Sequence, residues 1–173
     1  MLDFAVIAMP RSGTSWAANW LTTEESLCFH DPMECFTPNV MANWGSSRRR
    51  MGVACTGLWM VPDWLTTNVR QWIILEREPD EIDASLTRMG LGPMPLEAWH
   101  TFECLPGERV PFTSLFDASK ARDIWNHLVP GLDFDAERHA LLTRLAISPQ
   151  FSALDPQPDA VRAWLKRIKE AAV

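Results

Sequence analysis

The chain begins with an apolar run that stops at a proline and is followed by a polar glycine turn and a helical pattern. The run covers residues 4–9, and Pro-Arg-Ser-Gly-Thr-Ser follows over residues 10–15. A run that is continuously apolar, instead of alternating, is typical of a parallel strand buried on both faces. A strand that leads through such a turn into a helix is how α/β proteins hold a phosphate. This unit therefore favours an α/β fold with an anion site.

The rest of the chain repeats the alternation of strand and helix patterns. After a helix from about Thr14 to Thr22, strands are predicted at LCFHD, MGVACTGLW, QWIILER and RVPFTSLF. Helices are predicted at VPDWLTTNV, EPDEIDASLTRMG, DASKARDIWNHLV, DAERHALLTRLA and PDAVRAWLKRIKEAA. We expect an irregular helical excursion over residues 33–44, and a loop with one or two helical turns over residues 91–107. The pattern predicts a three-layer α/β sandwich with a mainly parallel sheet and a helical C-terminal part.

The composition limits the classes of function. A length of 173 residues favours a single domain over residues 1–173, and 47% hydrophobic with 22% charged residues is typical of a globular protein. The net charge of −6 argues against a nucleic-acid partner, so any anion site must be local. The first apolar run is too short for a signal segment or a membrane span. The four cysteines lack CxxC spacing, which favours reduced thiols in a cytoplasmic protein.

The glycine turn lacks the lysine of a nucleoside-triphosphate loop. Aligned on that pattern, Ala8 stands at the first glycine and Thr14 at the lysine, which normally reaches the β- and γ-phosphates. Backbone N–H groups of residues 12–15 and the helix dipole can still bind one tetrahedral anion. Gly13 lets the backbone approach that anion, and Arg11 is the nearest cation. The structural alternative is an ordinary helix-capping turn followed by a core tryptophan.

The stretch PRSGTSW resembles the 5′-phosphosulfate loop of the sulfotransferases that use 3′-phosphoadenosine 5′-phosphosulfate (PAPS), with the pattern Pro-Lys/Arg-Ser-Gly-Thr-Thr/Ser-Trp. The chain is similar to a short bacterial or phage-type member of that family, whose fold is P-loop-like. The resemblance implies that the loop binds the donor through the following residues: Arg11 as the cation, Gly13 as the backbone cradle, Ser12, Thr14 and Ser15 as hydroxyls, and Trp16 as the adenine-stacking ring.

A second stretch, ILEREPDEIDASL, resembles the family's 3′-phosphate site. Arg77 leaves a strand, Pro79 begins the next helix, and Ser85 lies two turns further on. The resemblance implies that Arg77 and Ser85 bind the 3′-phosphate, where a guanidinium can bind two oxygens at once. It further implies transfer of a sulfuryl group from PAPS, as co-substrate, to a hydroxyl or amine of a small-molecule acceptor without a metal. By themselves, Arg77 and Ser85 would be an ordinary surface arginine and a solvated serine.

The acceptor's proton needs a base, and the sequence leaves several candidates open. Many family members carry a histidine after the third strand, where this chain has Gly57. Other branches use a glutamate after the first helix, and Glu34 falls on that position; it would need partial burial to raise its pKa toward neutrality. His30 could serve instead, because an ordinary imidazole titrates near neutral pH, with Asp31 as an orienting partner. Arg11, beside the leaving phosphate, would act only electrostatically.

Two other functions stay open at this stage. The first is a catalytically inactive module that binds PAPS or adenosine 3′,5′-bisphosphate, a possibility that Gly57 and the short chain keep alive. The second is a P-loop small-molecule kinase, which the missing lysine disfavours. The sequence indicates neither the acceptor nor an oligomeric state. The basic tract at residues 48–50 is either a solvated loop or a contact for an anionic acceptor or the nucleotide.

Overall fold

A computed structural model describes residues 1–46 and 48–144 of the chain. In this part, five strands form one sheet: β1 (Leu2–Ala8), β2 (Ser26–His30), β3 (Arg50–Cys55), β4 (Val69–Glu76) and β5 (Glu108–Pro111). Their order in the sheet is β2-β3-β1-β4-β5, and every neighbouring pair is parallel. The predicted α/β sheet is thereby confirmed, and it is parallel throughout.

The helices alternate with these strands as the sequence pattern predicts. They are α1 (Thr14–Leu21), α2 (Pro38–Met41), α3 (Pro62–Asn68), α4 (Pro79–Thr87), α5 (Leu96–Glu103), α6 (Ala118–Leu128) and α7 (Ala136–Arg144). Short 3₁₀ turns lie at Pro32–Glu34, Trp44–Ser46, Leu58–Met60 and Phe112–Phe116. The helix predicted at PDAVRAWLKRIKEAA lies outside the described residues. Over residues 1–46 and 48–144, no helix has the length and apolar character that crossing a bilayer takes.

Two strands are shorter than their apolar patterns suggest. The last one was expected to run through RVPFTSLF but ends at Pro111, which pairs with Glu76, the final residue of β4. Proline offers no N–H to a neighbouring strand, and β4 provides no partner beyond Glu76, so the chain turns into a 3₁₀ helix. The third strand ends at Cys55, and the following turn is closed by a bond from Trp59 Nε1 to the Thr56 carbonyl (2.6 Å).

Helices cover the sheet on both faces, and two buried clusters fill the layers. One face of the sheet packs against α1, α6 and α7 through a core that contains Trp16, Trp20 and Trp125. The other face packs against α3, α4 and α5 through a core around Ile7 and Ile74. The central strand β1 is buried on both faces, which explains its uninterrupted apolar run.

Candidate functional site

The predicted site residues lie at one edge of the sheet, where the parallel strands end. Strands β2 and β3 lie on one side of β1 in the sheet, and the later strands β4 and β5 lie on its other side. In open α/β sheets, ligands bind at the carboxyl ends of the strands, where this direction reverses. The residues that follow β1, β2, β3 and β4 are therefore neighbours, although they are up to about seventy positions apart in the chain.

The loop between β1 and α1 has the backbone geometry of an anion site. Arg11 (φ 67°) and Gly13 (φ 86°) are left-handed, and Ser12 between them is not, so the hand of the backbone alternates. Successive N–H groups in such an alternation form a concave nest for anions. Gly13 is also the N-cap of α1, and no side chain caps the first turn. The first N–H groups of a helix have no acceptor within it, so the start of α1 is left open to an anion.

The hydroxyls of the loop lie close to this open helix end. Ser12 is fully buried, and its Oγ has no hydrogen-bond partner in the described part of the chain. Leaving a buried hydroxyl unbonded costs about 1–3 kcal/mol, so Ser12 lacks a partner that an anion's oxygen would provide. Thr14 is buried and Ser15 half-buried, and the Ser15 carbonyl accepts a bond from Asn19 Nδ2 (2.8 Å).

Arg11 is in direct contact with both Arg77 and Ser85. Arg77 Nη1 donates to the Arg11 carbonyl (2.5 Å), and Arg11 Nε donates to Ser85 Oγ (3.0 Å). Arg77 is further held by Glu81, whose Oε2 accepts from Arg77 Nε at 2.8 Å, and by the ring of Phe112, 4.7 Å from the guanidinium carbon. The two motifs that the sequence offered separately therefore form one cationic surface beside the anion loop.

On the other side of the loop, His30 connects the loop to the ends of β2 and β3. His30 Nε2 lies 3.2 Å from Thr14 Oγ1 and 3.1 Å from Asp31 Oδ2. The second carboxylate oxygen, Asp31 Oδ1, accepts bonds from the backbone N–H (2.6 Å) and the hydroxyl (2.9 Å) of Thr56. A continuous set of polar contacts thus leads from the anion loop through an imidazole and a carboxylate to Thr56.

Glu34 does not join this set of contacts. It lies in the 3₁₀ turn after β2, it is exposed, and its side chain has no partner within residues 1–46 and 48–144. The partial burial that a glutamate base requires is not present in this structure. The carboxylate that contacts His30 belongs to Asp31.

Trp16 lies in the core below the loop. Only 4% of it is exposed, and its Nε1 donates to the Leu142 carbonyl (3.3 Å). The rings of Trp20, Phe116 and His139 surround it, with centroids 5.2–5.7 Å away. Its adenine-stacking role stays a prediction that requires one of these neighbours to move. The core position is the structural alternative that the sequence also allowed.

The basic tract lies at the opposite edge of the sheet. Arg50 is the first residue of β3, near Asp3 at the start of β1, with Nη1 3.9 Å from Asp3 Oδ1. The strand between Arg50 and Cys55 is about 20 Å long, which separates Arg50 from the anion loop. The same arginine donates to the Pro130 carbonyl at 3.4 Å. Its contacts in this structure therefore join the start of β3 to Asp3 and to the segment after α6.

Two residues that contact the candidate site were not predicted from the sequence. Thr56 and Phe112 directly follow β3 and β5, at the edge where Asp31 and Arg77 also lie. The rule that residues after parallel strands share one edge would have suggested them as candidates. The rule does not say which strands are neighbours, and Thr56 reaches Asp31 only because β2 and β3 are adjacent.

Two of the four thiols, Cys28 and Cys55, are buried in the sheet. Burial raises the pKa of Cys55 to about 11 and that of Cys28 well above its ordinary value, so both are protonated at neutral pH and are poor nucleophiles. The described residues hold no group of three or more His, Cys, Asp and Glu placed to bind a metal ion. No protein-family model, no curated protein and no solved structure matches the chain.

Proposed function

We propose that the chain is a sulfotransferase that moves a sulfuryl group from PAPS to a hydroxyl or amine of a small-molecule acceptor. The observation that carries this proposal is the contact of Arg77 with the Arg11 carbonyl and of Arg11 with Ser85. It sets a second cationic site beside an open anion loop, as a nucleotide with separate 5′ and 3′ anionic groups requires. The parallel sheet is compatible with the P-loop-like, sulfotransferase-type fold that the proposal implies.

A bisphosphate suits these two sites better than a triphosphate does. The nest and the start of α1 offer backbone donors to one tetrahedral group, and Arg77 with Ser85 offers a guanidinium and a hydroxyl to another. A nucleoside triphosphate carries its phosphates in one row, and its γ-phosphate needs a lysine where this chain has Thr14. The hydroxyl of Thr14 instead lies near His30. The kinase alternative is therefore the weaker one.

The proposed reaction is an in-line displacement at sulfur. The bond from sulfur to the donor's bridging oxygen breaks, the bond from sulfur to the acceptor's oxygen or nitrogen forms, and the acceptor's proton passes to a base. Arg11 would stabilise the charge that grows on the leaving phosphate, and it would do so without giving up a proton. Of the bases that the sequence suggested, His30 contacts the loop at Thr14 and has Asp31 beside it, whereas Glu34 is exposed and contacts neither of them.

Isothermal titration calorimetry tests the donor site. We expect adenosine 3′,5′-bisphosphate to bind about tenfold or more tighter than AMP, because one charge-assisted hydrogen-bonded site contributes about 1.5–3 kcal/mol. Arg77→Ala should reduce this ratio to near one. Arg88→Ala is the matched control: Arg88 is exposed at the far end of α4, and its loss should leave the ratio unchanged.

Each alternative gives a different result in the same experiments. Equal affinity for AMP and the bisphosphate in the wild-type chain contradicts the proposal. Tighter binding of ATP upon addition of Mg²⁺, with no preference for the bisphosphate, would favour the kinase. Bisphosphate binding without transfer of label from ³⁵S-PAPS to any member of a library of phenols, sugars, steroids and amines would favour the inactive binding module.

A further inference from the structure

We propose that His30 is the base of this transfer, that Nδ1 is its basic atom, and that Asp31 and Thr56 are positioning residues that set this tautomer. The inference rests on the proposed function for its reaction. Its structural part, the state of the imidazole, can be measured independently of any turnover.

Thr56 holds the carboxylate of Asp31 in one orientation. Both donors of Thr56, its N–H and its hydroxyl, bond the same oxygen, Asp31 Oδ1, at 2.6 and 2.9 Å. The Asp31 N–H in turn donates to the Ala54 carbonyl (2.9 Å), which extends the pairing of β2 with β3 by one residue. Asp31 has a left-handed backbone (φ 43°), and this turn directs its side chain back toward the end of β3. Oδ2 is left facing the imidazole.

The contact between Asp31 and His30 defines the tautomer. Oδ2 of an ionised carboxylate only accepts, so the ring nitrogen 3.1 Å away, Nε2, carries the proton. Thr14 Oγ1, 3.2 Å from the same nitrogen, can share that proton as a second acceptor. The hydroxyl hydrogen of Thr14 is then free to bond an anion in the loop. The lone pair of the imidazole lies on Nδ1.

Nδ1 is the ring nitrogen that contacts neither Thr14 nor Asp31, and the ring itself lies beside the anion loop. Nδ1 has no hydrogen-bond partner in the described part of the chain. It is not fully buried, and 30% of the His30 side chain is exposed. The Thr14 hydroxyl, which belongs to the loop, lies between the ring and the anion nest. An acceptor hydroxyl beside the bound donor would pass its proton to Nδ1 as its oxygen bonds sulfur. The imidazolium would then be stabilised by Asp31 Oδ2.

Nitrogen-15 NMR of the histidine rings in the full chain tests the tautomer. The ring signals of His30 are identified by their loss in His30→Gln. In the wild type we expect a protonated Nε2 and an unprotonated Nδ1 for His30 at a pH where the ring is neutral. The opposite tautomer overturns the inference.

Asp31→Asn is the sharpest variant, because Thr56 determines how the new amide lies. The Thr56 N–H requires an acceptor, so the amide oxygen takes the place of Oδ1 and the NH₂ group faces His30 Nε2. The imidazole should therefore switch to the Nδ1–H tautomer. Thr56→Val, which keeps the N–H and loses the hydroxyl, should weaken the preference for the Nε2–H tautomer, and Thr56→Ser, which keeps both donors, should retain the wild-type state. No change in Asp31→Asn would contradict the role of Asp31.

Turnover of ³⁵S-PAPS with a phenol mixture tests the base. His30→Gln and Asp31→Asn should lower kcat about 100-fold or more, the usual effect of losing a general base, while affinity for adenosine 3′,5′-bisphosphate stays within about twofold. Glu34→Gln tests the rival base and should retain most of kcat, because Glu34 is exposed and contacts neither His30 nor the loop. A large loss in Glu34→Gln with little loss in His30→Gln overturns the inference. Failure of the bisphosphate to bind contradicts the proposed function instead, and leaves the tautomer measurement to be judged separately.

Discussion

The anion loop depends on two left-handed residues, Arg11 and Gly13, which differ in how easily they adopt this geometry. Gly13 adopts φ 86° without strain because glycine has no Cβ, whereas Arg11 at φ 67° carries a strain of about 1–2 kcal/mol. The surrounding contacts hold Arg11 in place through its carbonyl, which accepts from Arg77, and its side chain, which bonds Ser85. Backbone strain retained in this way is common at binding sites.

We predict that Gly13→Ala lowers both stability and anion affinity. A Cβ at this position would lie 3.3 Å from Leu115 Cδ1 and 3.5 Å from Phe112 Cδ2, in addition to the left-handed strain of about 1–2 kcal/mol. Urea unfolding should show the loss of stability, and titration with adenosine 3′,5′-bisphosphate should show weaker binding.

Gly90→Ala is the matched control for this change. Gly90 has nearly the same backbone angle (φ 77°) after α4, but nothing lies within 4 Å of its new Cβ. It should therefore show the strain without the crowding, and its affinity for the bisphosphate should equal that of the wild type. If both variants bind the bisphosphate equally well, the geometry of the loop does not matter for binding.

Among the helices, the start of α1 differs from the start of α6. At α6, the side chain of Asp117 accepts bonds from Ser119 N (2.9 Å) and Lys120 N (3.1 Å), a complete N-cap. At α1, the N-cap is Gly13, and no side chain bonds the first turn. The open helix end thus coincides with the proposed ligand site, whereas the start of α6 is capped by the side chain of Asp117.

We predict that Asp117→Ala lowers the Tm by a few degrees at neutral pH, and that the difference narrows in acid. Hydrogen bonds from the backbone N–H groups of Lys120 and Ser119 lower the pKa of Asp117. A depressed carboxyl pKa stabilises the fold above the ordinary pKa of aspartate, about 4, and this contribution disappears as pH falls through the folded-state value. Thermal unfolding between pH 7 and pH 2.5 measures it.

The variant Asp117→Asn is the control for the charge, since asparagine also caps helices. Its difference from the wild type should be smaller at neutral pH than that of the alanine variant. A gap between wild type and Asp117→Ala that is as large at pH 2.5 as at pH 7 would argue against an ionised cap.

Across the molecule, a half-buried arginine joins α7 to the end of α1. Arg138 Nη2 donates to the carbonyls of Asn19 and Thr22, which lie at the last turn of α1 and would otherwise lack a donor. Burial lowers the pKa of Arg138 to about 10, although Asp135 opposes the shift, so the side chain is still charged at neutral pH. This contact spans more than one hundred residues of the chain and fixes the helix that begins at the anion loop.

We predict that Arg138→Met lowers the free energy of unfolding by about 1–3 kcal/mol, because it leaves two carbonyls of α1 without their donor. Arg144→Met, at the exposed end of the same helix, should change it by less than about 0.5 kcal/mol. Urea denaturation measures both variants. Equal stability of the two would show that the contact of Arg138 with α1 contributes little to the fold.

Local patterns predicted the elements of this protein well. The apolar runs around Ile7 and Ile74 became central strands, and Pro79 with its acidic neighbours began α4 as capping rules suggest. Such patterns work because burial on both faces, proline at a first turn and glycine in a left-handed turn act within a few residues. The candidate residues Arg11, Arg77 and Ser85 could be named in the same way.

The sequence by itself determined the alternation of strand and helix, the glycine turn and the residues offered to an anion. Only the tertiary structure decided the strand order, the contact of Arg77 with Arg11, the hydrogen bonds of Thr56 to Asp31, and the burial of Trp16. The physical reason is that backbone preferences depend on nearby residues. Contacts between strand ends instead depend on which strands become neighbours when two hydrophobic layers close on one sheet, and no short segment of the chain encodes that choice.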